Sequence, residues 1–89
     1  MKHIKTYEKL ENDDIQVGNI YRIEETFDGN MKVVKVLELN FNYVVVKGYF
    51  ISDNEEHIFK TYRRFLTNFA SPEEIIEFET IENSKKYNL

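Results

Sequence analysis

The sequence predicts a mainly β domain, either a small antiparallel SH3-like barrel or a curved sheet of four to five strands, with a short C-terminal helix. Three observations predict it. From Ile15 onward apolar residues follow a period of two. The β-branched and aromatic residues gather in short runs separated by turn signals. A single strong helix start, Ser71-Pro72-Glu73-Glu74, stands after the last run.

Residues 1–14 read as a lead-in. Ile4, Tyr7 and Leu10 make one short helical stripe, which Asn12-Asp13-Asp14 ends. The strand meander is expected over 15–62. In its first strand Val17, Asn19, Tyr21 and Ile23 share one face and Ile20, Arg22 and Glu24 the other, with Gly18 marking a bulge or a close backbone approach. Asp28-Gly29 is a hairpin turn, because Gly supplies positive φ without steric cost. The second strand, 32–39, slips out of alternation: Val34 and Val36 share one face, Leu37 and Leu39 the other. Either a bulge lies near Val36-Leu37 or both faces are buried there. Residues 43–51 form the third and most β-prone strand, and 57–62 the fourth.

Residues 63–82 are expected to hold a turn and then the helix. Arg63 to Phe69 reads as a helical turn with Phe65, Leu66 and Phe69 pointing inward. Ser71 as N-cap, Pro72 at the first helical position and Glu74 at the third form a capping box. A strand reading competes over 72–82, because Ile76, Phe78 and Thr80 alternate, but the cap favours helix. Residues 83–89 are expected to fray. A meander of this kind must curl or be covered to bury its apolar face. The expected core is Val34, Val36, Val44, Val46, Phe50, Phe59 and Phe65.

The chain has 89 residues, which is one domain's worth, and aromatic residues make up 15% of it. The absence of Cys removes disulfides and thiolate chemistry and favours the cytoplasm. Met1 to Lys9 has no apolar run of the kind a signal peptide carries, and no stretch approaches the roughly 20 apolar residues of a membrane helix. Net charge is −4, with most of the excess acid in the first 30 residues and none in 31–60. Nonspecific nucleic-acid binders are usually basic, so any such function here needs a local patch.

No catalytic constellation stands out. His3 and His57 are the only imidazoles and lack the spacing of metal ligands. Asp53, Glu55 and Glu56 lack the regular spacing and the Gly of a calcium loop. Ser52, Ser71 and Ser84 sit in no nucleophile elbow, and three glycines at 18, 29 and 48 build no phosphate loop. No enzyme activity, cofactor or metal is therefore expected.

Two charged features carry the functional reading. Glu73, Glu74, Glu77, Glu79 and Glu82 put five acids in ten residues with no base among them. They suggest a non-enzymatic module that docks on a protein partner with a basic surface through Glu73, Glu74 and Glu77. Tyr49, on the strand face of Lys47, is expected to lie outside the core as its aromatic anchor. Small size, a Lys-, Ile- and Asn-rich composition that suggests AT-rich coding, and the lack of catalytic residues suit a phage or mobile-element protein that inhibits or redirects a host factor. The alternative is a small barrel that binds RNA or single-stranded DNA. Its contacts would be Lys60, Tyr62, Arg63 and Arg64, the one basic cluster, interleaved with Phe59 and Phe65.

Overall fold

The computed structural model describes residues 15–87, so the expected stripe of Ile4, Tyr7 and Leu10, and His3, lie outside the described residues. Strands β1 (Ile20–Thr26), β2 (Met31–Leu39), β3 (Val44–Tyr49), β4 (Glu56–Thr61) and β5 (Leu66–Phe69) precede one helix, α1 (Pro72–Tyr87). The strands form a single antiparallel sheet in the order β4-β3-β2-β1-β5. That fits the small sheet of four to five strands with a C-terminal helix read from the sequence. It is not closed into a barrel, since β4 and β5 remain at opposite edges.

One face of the sheet carries the larger core. Tyr21, Val34, Val36, Val44 and Val46 are fully buried there, together with Ile15, Ile23, Met31 and Leu66. The four expected valines are thus at the centre, while Phe50, Phe59 and Phe65 are half-buried at its margin. The β1–β2 turn over this face is tight. Phe27, Asp28 and Gly29 all take positive φ, at 55°, 56° and 81°. Only Gly adopts such a φ without steric cost. The Phe27 ring is held by edge-on contacts at 5.1 Å to Phe50, 5.0 Å to His57 and 5.2 Å to Phe59, so the turn is folded down onto β3 and β4. His57 is therefore part of an aromatic cluster.

The slip read in the second strand is a bulge. Val36 pairs with Val46 and Glu38 with Val45, leaving Leu37 as the extra residue. Gly18, by contrast, lies ahead of β1 with φ of 94°, and its N–H donates to the Val36 carbonyl at 2.8 Å. Gly48 has a packing role: a Cβ there would run into the Met31 thioether.

Two expectations near the C-terminus are corrected. After a short 3₁₀ turn at Arg63–Phe65, Leu66–Phe69 is a strand paired with β1, and Phe69 is exposed while Leu66 is buried. Alternation in a four-residue strand sends Leu66 and Phe69 to opposite faces, which a helical turn would not do. The helix continues to Tyr87, five residues beyond the expected end at 82. Among the described residues no helix is long and apolar enough to cross a membrane.

Candidate functional site

The helix starts as the sequence reads. The Ser71 N–H donates to Glu74 Oε1 at 2.9 Å, and the Glu74 N–H donates to Ser71 Oγ at 3.2 Å. This reciprocal pair is the capping box. Glu74 Oε1 also accepts from Arg22 Nε at 2.9 Å, tying the helix start to β1. Two turns on, Glu82 takes Lys47 Nζ at 2.7 Å and Lys35 Nζ at 3.2 Å, linking the helix to β3 and β2. Between these polar anchors Phe78 packs against Tyr49, with ring centroids 5.0 Å apart. Ile20 and Ala70 complete this second core, with Val33, Ile75 and Ile81 at its edge.

The groups in this seam titrate accordingly. Burial would raise the carboxyls of Glu74 and Glu82. The Ser71 and Arg22 hydrogen bonds at Glu74, and the two lysines at Glu82, outweigh it and hold both below the ordinary 4.5. Burial would lower the Lys47 ammonium, but its hydrogen bond to Glu82 and the neighbouring negative groups carry it above 10.5. Burial, opposed by Lys47, raises the Tyr49 phenol above 10.0.

The seam corrects the expected exposure of Tyr49. Tyr49 is not an exposed anchor. Only 7% of it is accessible, because α1 covers the strand face that its Lys47 neighbour had suggested was solvated. Glu74 is engaged by Ser71 and Arg22. Glu73 and Glu77 remain exposed, beside Ile76 on the outer side of the helix.

The basic cluster lies elsewhere, at the far end of β3 and β4. Val44 pairs with Thr61 and Val45 with Lys60. The next residues out, Tyr43 and Tyr62, therefore share the sheet face of Val45 and Lys60. Lys60 Nζ sits 4.8 Å from the Tyr43 ring centroid. The Arg64 guanidinium lies 4.9 Å from the rings of both Tyr62 and Phe65. Arg63 Nη1 donates to the Phe41 carbonyl at 3.1 Å, fixing the β2–β3 hairpin tip against the 3₁₀ turn. All four residues named from the sequence, Lys60, Tyr62, Arg63 and Arg64, are thus brought together.

Two further aromatics, missed in the sequence, join them: Tyr43 and Phe41, the latter 92% exposed. Tyr62 is 50% exposed, and a shallow groove of about 220 Å³ runs between Tyr43, Lys60 and Tyr62. None of the three cations makes an ion pair among the described residues. Glu38, on the same hairpin, accepts from Asn40 Nδ2 at 2.9 Å. No group of His, Asp or Glu suited to hold a metal ion occurs among the described residues.

Comparison with protein-family models, with curated proteins and with solved structures finds no match to the chain.

Proposed function

We propose that the protein is a non-catalytic binding module whose working surface is the cationic–aromatic end of β3 and β4, and that its ligand is single-stranded RNA or DNA. One observation carries this reading. Among the described residues Lys60, Arg63 and Arg64 pair with no acid, and they gather around the half-buried Tyr43 ring, the exposed Tyr62 ring and the carbonyl of the exposed Phe41. Cations positioned beside flat rings supply both interactions that a flexible strand offers, phosphate neutralisation and base stacking.

The overall charge of −4 does not oppose it, because charge beyond the Debye length of roughly 8–10 Å is largely screened. The helix acids that do face the sheet, Glu74 and Glu82, are compensated by Arg22, Lys35 and Lys47. The rival reading, docking on a basic protein, has lost its aromatic anchor to Phe78 and one of its three acids to the helix cap.

The test is fluorescence anisotropy with labelled oligo(dT) and oligo(U). Three phosphate contacts give a slope of log affinity against log salt of about −2, or roughly fifteenfold weaker binding from 50 to 200 mM. Arg63→Ala with Arg64→Ala should weaken binding to every sequence about equally. No binding at roughly 50 µM protein in low salt would refute the proposal, since sequence-independent binding normally falls within that range.

A further inference from the structure

We infer that the outer edge of β4 pairs with the same edge of a second copy of this chain, making a two-fold symmetric dimer with one continuous sheet. Among the described residues β4 is the free end of the sheet order, six residues long, unbroken by bulge or proline. Such an edge presents unpaired N–H and C=O groups in a row and is a template for another strand. The opposite edge, β5, has only four residues.

The pairing pattern tells which groups face outward. The Phe50 N–H donates to the Glu55 carbonyl at 3.0 Å, and these residues are directly opposite in the β3–β4 register. Hydrogen-bonded pairs alternate in an antiparallel ladder, so His57, Phe59 and Thr61 bond inward to β3. Glu56, Ile58 and Lys60 then turn their backbone groups to the free edge. Their side chains share one face of the sheet.

An antiparallel partner strand centred on Ile58 satisfies all three. It sets Glu56 of each copy against Lys60 of the other, and Ile58 against Ile58. On the opposite face His57 meets Phe59. Moving the centre by one residue instead places Glu56 or Lys60 against Ile58 and loses both charge pairs, so the charges select one register. Opposite charges directly across a ladder favour pairing and like charges oppose it. The components are available. Ile58 is 52% exposed and belongs to neither core, and Glu56 and Lys60 make no ion pair among the described residues. Because the contact is self-complementary it closes at two copies and does not run on as a fibre.

The experiment is analytical ultracentrifugation of the full chain without nucleic acid, in the wild type, Glu56→Lys, Lys60→Glu and the double exchange. All these positions are exposed, and circular dichroism checks that each variant folds. The wild type should reach twice the 10.7 kDa of the chain within roughly 0.1–1 mM. Each single exchange puts like charges across the interface and should weaken the dimer at least about tenfold. The double exchange restores opposite charges and should return the dissociation constant to within about threefold of the wild type. A wild type that stays monomeric to about 1 mM, singles that dimerise unchanged, or a double exchange no better than the singles would each overturn the inference.

Discussion

Replacing Phe78 by Ala tests whether α1 is a working layer of the fold. Phe78 is 2% exposed and sits on Tyr49 at the centre of the smaller core. Removing a fully buried Phe costs about 3–5 kcal/mol, which includes the lost aromatic contact of roughly 0.5–1.5. Ile75 and Ile81 flank the site but are half-buried and anchored to the same helix, so they do not readily collapse into the void. The same helix provides an internal control. Ile76 is 64% exposed, and Ile76→Ala should cost no more than about 0.5 kcal/mol. A domain of this size has roughly 4–13 kcal/mol in total, so Phe78→Ala should lower the melting temperature by some 12–25 °C and leave the variant marginal. Urea and thermal unfolding followed by circular dichroism measure both variants. Costs that are equal for the two, or a loss below about 1 kcal/mol at Phe78, would mean that the helix is not seated on the sheet as described.

Three further outcomes are expected from the same measurements. Gly48→Ala should lose about 1–3 kcal/mol through overlap with Met31, and combining it with Met31→Ala should cost less than the sum of the two, because the thioether is the obstacle. Ser71→Ala should cost about 1 kcal/mol by opening the capping box. Stability should also fall in acid: Glu74 and Glu82 have folded pKa values depressed below 4.5, so their contribution is present above that pH and is lost as pH drops through the folded values. Lys47, raised above 10.5, contributes below that pH and loses its share as pH climbs through its folded value; Glu82→Gln should weaken both limbs, as urea midpoints across pH will record.

Local rules carried most of the fold. The period-two valines of β2 and β3 placed the main core, the slip at Leu37 marked the bulge, and Ser71 to Glu74 marked the helix start. Each of these depends on neighbours within a few residues. Tyr49 was misread because its environment is supplied by residues about 30 positions away. Lys47 on the same face looked like a sign of solvent, and only the return of the helix with Glu82 and Phe78 makes that face a second core. The strand at Leu66–Phe69 was missed because four residues are too few to show a period, and its partner β1 lies far back in the chain. The same limit applies to the candidate site. Lys60 to Arg64 were visible as one run, whereas Phe41 and Tyr43 reach them only through the β3–β4 pairing and the Arg63 hydrogen bond.

Backbone chemical-shift mapping of the ¹⁵N-labelled protein, titrated with a short oligo(dT) or oligo(U) in low salt, tests the central claim most directly. Single-stranded ligand held by the cationic–aromatic end should move the amides of residues 41–43 and 60–65 together, along one saturating curve, and leave the outer side of α1 around Glu73 and Glu77 still. Shifts gathered on that helix face, or spectra unchanged at excess oligonucleotide, would contradict the account.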